Sequence, residues 1–190
     1  MVRKLVVATG NPGKLKEMQE YLMGLAWELE LKPAKLDIEE TGTTFIANAR
    51  LKACEVAKAL GEWALADDSG LMVDALDGAP GIHSARYGKD DADRINRLLR
   101  ELENTDNRQA KFVCAIAIAS PDGKIALETE GVCPGEILTS PHGNNGFGYD
   151  PIFYVPSAKQ TFAQMSAETK GKISHRGVAF AQLMSDLKKL

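Results

Sequence analysis

The chain has 190 residues, 44% of them apolar and 26% charged, which suits one folded domain, 1–190, with a substantial core. Its formal charge of −3 argues against a broad basic surface for duplex nucleic acid, so an anionic ligand has to be met by local Lys and Arg clusters. The longest apolar run, 112–119, is far too short to span a bilayer, and no membrane partner is expected.

Three cysteines, Cys54, Cys114 and Cys133, lack metal-type spacing. Their odd number and the lack of a signal-peptide pattern read as free thiols in a reducing cytosol, and so as a cytoplasmic protein.

In chain order, residues 3–8 predict a short buried strand that runs into Thr9-Gly10-Asn11-Pro12-Gly13-Lys14. A helix follows, with Leu15, Met18, Leu22 and Leu25 on one face. Trp27, Leu29 and Leu31 alternate with polar residues, as in a half-exposed strand. A second helix is predicted from about Thr44 to Leu60, with Asn48 and Lys52 sharing a face beside its apolar stripe. Ala64 to Ala66 reads as a short strand delivering Asp67 and Asp68 to its end, with Ser69-Gly70 as turn residues.

Further on, Ile95, Leu98, Leu99 and Leu102 mark another helix, with Asp90-Asp91 at its start. Residues 111–120 and 124–132 form the strongest strand pair, turned by Pro121-Asp122-Gly123. Thr161 to Gln164 has the form of a capping box. Phe180, Leu183, Met184 and Leu187 carry a C-terminal helix that opens near Ser174-His175-Arg176. Parallel-capable and hairpin strands mixed with helices predict an α/β fold with a long, twisted, mixed sheet flanked by helices.

Four stretches bear on chemistry. The 9–14 loop joins a strand to a helix, and its backbone N–H groups and Lys14 suit an anion, though a tight turn with a solvated lysine reads equally well. Its glycine spacing is not that of a Walker loop. Asp67 and Asp68 point to opposite sides of an extended strand, so one can face a cleft while backbone or a basic neighbour holds the other. A carboxylate there suits Mg²⁺, a hard ion that prefers oxygen, and Glu39 and Glu40, just before the second helix, could add another; a polar turn and a solvated acidic loop are the plainer readings.

Gly146-Phe147-Gly148-Tyr149-Asp150-Pro151 offers aromatic faces and one acceptor to a base, or else packs its rings into the core. Lys170, His175 and Arg176 supply donors for phosphate or a base carbonyl, although surface His-Arg pairs are ordinary. No Gly-x-Ser-x-Gly elbow supports a serine hydrolase.

In this order the motifs resemble the inosine/xanthosine triphosphate pyrophosphatase family across essentially the whole chain. They are Thr9-Gly10-Asn11-x-x-Lys14-x-x-Glu17, Ala66-Asp67-Asp68-Ser69-Gly70-Leu71, Pro80-Gly81-x-x-Ser84-Ala85-Arg86-Tyr87, Phe147-Gly148-Tyr149-Asp150-Pro151 and Ser174-His175-Arg176. The resemblance implies Mg²⁺-dependent hydrolysis of ITP, dITP and XTP to monophosphate and pyrophosphate. It also implies a sheet with two lobes and a central active-site groove, and a homodimer.

By matching motif, Thr9, Gly10, Asn11, Pro12, Gly13 and Lys14 would cradle phosphates, with Lys52 a further phosphate ligand. Asp68 would be the general base and, with Glu40, a metal ligand. Ser69, Phe147, Gly148, Tyr149, Asp150, Lys170, His175 and Arg176 would hold the substrate. One departure is visible: Ala47 stands where members of that family commonly carry an acidic residue. The rival expectations are a Maf-type pyrophosphatase, a non-catalytic nucleotide sensor and, least favoured by charge, a nucleic-acid binder.

Overall fold

The computed structural model describes residues 3–190. Its elements are β1 (Arg3–Val7), α1 (Pro12–Tyr21), β2 (Trp27–Leu31), α2 (Phe45–Leu60), β3 (Trp63–Val73), α3 (Asp91–Glu101), β4 (Gln109–Ala119), β5 (Ile125–Ile137), β6 (Phe153–Val155), β7 (Gln160–Thr161), α4 (Ala167–Ile173) and α5 (His175–Leu187). The strands follow the order β2-β1-β3-β4-β5-β6-β7 in one seven-stranded sheet. β1 is parallel to β2 and β3, whereas β6 is antiparallel to β5 and β7, so the sheet is mixed and the α/β class expected from sequence holds.

By their internal contacts the described residues form two compact units: those up to 68, 114–131 and 176–190 make the first, and 69–113 and 132–175 the second.

In the first unit, Leu5 and Val7 of β1, Leu65 of β3, and Cys114, Ile116 and Ile118 of β4 pack with Met18 of α1, Leu22 at its C-terminal cap, and Phe180, Leu183 and Leu187 of α5. Tyr21 stacks on Phe180 with ring centroids 4.9 Å apart. Both helices show the spacing that made them legible, three to four residues between buried positions. α1 starts where it does because Asn11 caps it, its Oδ1 accepting from the amides of Gly13 at 2.8 Å and Lys14 at 3.3 Å, with Pro12 at the first helical position. α2 starts after Thr44, whose hydroxyl accepts from the amide of Ala47 at 3.2 Å.

The second unit has its own core, built from Leu71 and Val73 of β3, Ile95 and Leu98 of α3, Ala110 and Phe112 of β4, and Tyr149, Ile152, Phe153 and Phe162. Phe112 meets Phe153 edge-on at 4.6 Å. Asp90 caps α3, as its position before the helix predicts. Thr161 and Gln164 form the expected capping box on a single 3₁₀ turn, Phe162–Gln164.

β3 departs from the sequence reading. Instead of ending at Ala66, it runs for 11 residues with Asp67 and Asp68 in its middle. Ser69 and Gly70 continue the strand because Leu71 and Val73 beyond them are fully buried, and the amide of Leu71 donates to Ser84 Oγ at 2.9 Å. Burial two residues further on overrides the turn propensity of Ser-Gly. α4 was also not foreseen as a separate helix; Ser166 caps it and Ser174 ends it.

Candidate functional site

The first unit concentrates charge around the middle of β3. β1 pairs with β3 so that Val7 lies opposite Leu65, and the amide of Ala8 donates to the carbonyl of Leu65 at 2.8 Å. The chain leaving β1 therefore passes the next residues of β3, which include Asp67. Alternation along the strand then separates the two aspartates.

Asp67 is 1% exposed and is a hub of positive partners. Arg176, at the start of α5, places Nε and Nη2 each 3.1 Å from Asp67 Oδ2. Lys14, in the first turn of α1, forms an ion pair with Oδ1. The thiol of Cys114 donates to Oδ2 at 3.0 Å. Burial alone would raise the pKa of Asp67, but the charges of Arg176 and Lys14 outweigh it and hold the carboxyl well below the usual range. Arg176 is itself 1% exposed, and its Nη1 reaches Glu17 of α1 at 2.5 Å. Burial and the neighbouring Asp67 push the Cys114 thiol well above its ordinary value, so it serves as a proton donor rather than a thiolate.

Asp68 faces α2. Asn48 Nδ2 donates to its Oδ2 at 3.1 Å, and Lys52 Nζ lies 3.4 Å from its Oδ1. Lys52 Nζ also lies 2.7 Å from Glu40 Oε1 and 3.0 Å from the carbonyl oxygen of Asp67. The amide of Gly42 donates to Asn48 Oδ1 at 2.8 Å, which fixes which end of that side chain meets Asp68. A Cβ on Gly42 would sit 2.6 Å from the same oxygen, so the close approach requires glycine. Burial is the main influence on Asp68 and raises its pKa, with Glu40 adding to it and Lys52 and Lys14 opposing. Lys52 shifts upward too: burial disfavours its charge, but Asp68 and Glu40 more than compensate.

Three of the amides offered to an anion by the 9–14 loop are satisfied internally. Asn11 takes those of Gly13 and Lys14, and the amide of Asn11 donates to Thr9 Oγ1 at 3.1 Å. Among the described residues, no group of three or more His, Cys, Asp or Glu side chains is arranged to hold a metal. Glu40 and Asp68 are nevertheless a hard-oxygen pair already gathered on one cation, the Lys52 ammonium. That donor set fits Mg²⁺, which typically takes one or two carboxylates and completes its shell with water and phosphate. The two carboxylates stand without an acidic side chain at position 47, where Ala47 lies in the first turn of α2.

The second unit holds a second cluster. Lys170 Nζ pairs with Asp150 Oδ2 at 2.7 Å, with both side chains largely buried. The same oxygen accepts from the amide of Phe147 at 2.9 Å. Gly146 has φ 76°, and a Cβ there would fall 1.9 Å from Asp150 Oδ2, so this turn requires glycine. Lys170 Nζ lies 4.9 Å from the centroid of the Phe147 ring. His175 stacks on Phe112 with centroids 4.7 Å apart.

Tyr149 does not join Phe147 in an aromatic wall. It is buried in the core, where its hydroxyl donates to the carbonyl of Ser84 at 2.9 Å. The amide of Gly148 donates to Asp91 Oδ2 at 2.7 Å, tying the turn to the start of α3. Ser69 lies half-buried on β3 at the beginning of this unit.

The structure thus brings Lys14, Glu40, Lys52, Asp68 and Arg176 into one group in the first unit, and Phe147, Asp150 and Lys170 into another in the second. The sequence reading missed Asp67 as a hub and Asn48 as the orienting partner of Asp68. The doubled aspartate was a signal for the first, and the shared helix face of Asn48 and Lys52 for the second. All three cysteines are free thiols, as expected. Among the described residues no helix is long and apolar enough to cross a membrane.

The chain is 64% identical over 184 residues to a protein of Nostoc sp. named dITP/XTP pyrophosphatase, covering 97% of this chain and 94% of that protein. A Synechocystis protein of the same name is 60% identical over 180 residues, 95% of this chain and 93% of its own length. The HAM1 protein from Coxiella burnetii superposes with a TM-score of 0.90 at 45% identity, over 99% of this chain and 100% of that one. The Ham1 protein of Staphylococcus aureus gives 0.88 at 44%, over 98% and 99%. The family model described as Ham1 family matches residues 5–186, and the chain belongs to that family.

Proposed function

We propose that this protein hydrolyses deaminated purine nucleoside triphosphates, dITP, ITP and XTP, to the nucleoside monophosphate and pyrophosphate with Mg²⁺. The observation that carries the reading is Asp68: a buried carboxylate with a raised pKa, oriented by Asn48 and flanked by Lys52 and Glu40, in a chain 64% identical to a dITP/XTP pyrophosphatase.

A nucleoside triphosphate carries about four negative charges, and its hydrolysis is mostly a matter of positioning and neutralising them. Lys14 and Lys52 are the cations assigned to the phosphates. Arg176, held by Asp67 and Glu17, acts by keeping Asp67 ionised and so fixing Lys14. Asp68, more basic than an ordinary aspartate, takes the proton from the attacking water. Glu40 and Asp68 are the carboxylates that would hold Mg²⁺, which when bound lowers the pKa of a coordinated water and draws charge from the phosphates.

Base selection is assigned, on the family resemblance, to donors such as Lys170 and His175. A keto purine offers a carbonyl at C6, which Lys170 or His175 can meet with an N–H; adenine offers an amino group there. An unpaired buried donor costs about 1–3 kcal/mol, enough for a preference of roughly 10- to 100-fold per contact. The proposal extends to a homodimer acting in the cytoplasm, on the family resemblance; sedimentation equilibrium reads the first.

The test is to incubate the protein with dITP and Mg²⁺ and separate the products by anion exchange. Equimolar dIMP and pyrophosphate are expected. Release of orthophosphate with dIDP, or no Mg²⁺-dependent turnover, overturns the reading.

A further inference from the structure

Glu40 and Asp68 meet at a cation that the protein itself supplies. Lys52 Nζ lies 2.7 Å from Glu40 Oε1, 3.0 Å from the Asp67 carbonyl oxygen and 3.4 Å from Asp68 Oδ1. An ammonium has three protons, and three oxygens surround this one. The Lys52 side chain is only 12% exposed, so little water competes for it.

The two oxygens of Asp68 are held differently. Oδ2 is bonded to Asn48, whose own oxygen is pinned by the amide of Gly42. Oδ1 has the longer contact, 3.4 Å, with the Lys52 ammonium. Asn48 and Lys52 are both on α2, a helix anchored by the buried Phe45, Ala49, Ala53 and Val56. The four-carbon lysine stem can swing while the helix and Asn48 stay fixed. Asp68 can therefore exchange the partner of Oδ1 without losing its orientation.

A divalent ion on the same carboxylates would place three positive charges against two negative ones while Lys52 stays in place. We propose that Lys52 is a displaceable internal counter-ion. In the nucleotide-free protein it fills the Glu40–Asp68 pair and holds divalent cations off. A polyphosphate draws its ammonium away, and the pair then accepts the metal that arrives with the nucleotide. The identity of the anion rests on the function proposed above; the competition between lysine and metal rests on the distances alone.

The experiment is calorimetric titration of Mg²⁺ and of Mn²⁺ into nucleotide-free protein. It compares the unaltered chain with Lys52→Met, Lys52→Gln and Lys52→Arg. Removing one adjacent like charge is expected to tighten metal binding by about tenfold or more in Lys52→Met and Lys52→Gln, with Lys52→Arg like the unaltered chain. Lys52→Gln carries the test where Lys52→Met fails to fold, because its amide keeps a donor for the Asp67 carbonyl. Equal affinities in the unaltered and charge-free chains, or weaker binding in the latter, overturn the proposal. Those affinities are read without nucleotide. Failure to release pyrophosphate from dITP would therefore sink the functional reading while leaving the order of affinities as measured.

Discussion

Arg176 directs two of its guanidinium nitrogens, Nε and Nη2, at a single oxygen of Asp67, each at 3.1 Å, across 109 residues of sequence. Both side chains are buried, so neither charge has water to fall back on. Breaking a buried pair by removing one partner typically costs about 3–5 kcal/mol. Asp67→Asn is therefore expected to lower the urea-unfolding free energy by that order. The pH dependence follows from the depressed pKa. Stability contributed by Asp67 is fully present above the unfolded-state value near 3.8 and is lost as pH falls toward the lower folded-state value. The variant should lack that acid-side loss, and an unchanged profile would remove Asp67 from the hub.

Asp68 has the opposite sign. Its folded pKa is raised, so ionisation costs folding stability as pH climbs through and beyond the ordinary aspartate range. Asp68→Asn mimics the protonated form. It should be more stable than the unaltered chain at neutral pH, with the difference closing toward pH 4. Turnover should fall about 10²- to 10⁴-fold, the usual contribution of a general base. Thermal denaturation at two pH values with steady-state kinetics checks both, and near-normal turnover removes Asp68 from the role of base.

Lys14 pairs with Asp67 yet keeps a side chain 16% exposed. Lys14→Ala should raise KM for dITP about 10- to 100-fold, since hydrogen bonds to charged groups are worth about 1.5–3 kcal/mol. It should also raise the pKa of Asp67, because Lys14 is one of the two charges holding it down. An unchanged KM would contradict phosphate binding by this lysine.

Gly42→Ala tests the support behind Asp68. The added methyl would meet Asn48 Oδ1 at 2.6 Å and the Ala47 methyl at 2.9 Å. Overpacking of this kind costs about 1–3 kcal/mol. Displacing the amide of Asn48 should also lower kcat, and Asn48→Ala should reproduce that loss without the overpacking. A Gly42→Ala enzyme with unaltered kcat would separate Asn48 from catalysis.

Local signals explain what the sequence disclosed. Apolar spacing in 15–22 and 45–60, the acidic helix start at Asp90 and the capping box from Thr161 each arise within a few residues, so those elements were readable. The split of Asp67 from Asp68 followed from strand alternation, which needs only that the segment be extended. The length of β3 was not readable, because Ser69-Gly70 is held straight by burial of Leu71 and Val73 and by Ser84, 13 residues from the amide it bonds. Tyr149 was misjudged as a ligand face for the same reason: a core assembled from distant strands claims its ring. The Arg176–Asp67–Lys14 group joins three separate segments, and no local signal in any one of them specifies that meeting.

On the proposed function, Asp68 and its cationic neighbours promote the attack of water on the triphosphate of a deaminated purine, with pyrophosphate leaving intact. The most direct test is steady-state product release from dITP, XTP and dATP under Mg²⁺, scored for pyrophosphate against orthophosphate. Pyrophosphate is expected from dITP and XTP, at kcat/KM at least about tenfold above that for dATP, whose C6 amino group would face the same donors. Orthophosphate as the product, or equal rates on all three nucleotides, would contradict that function.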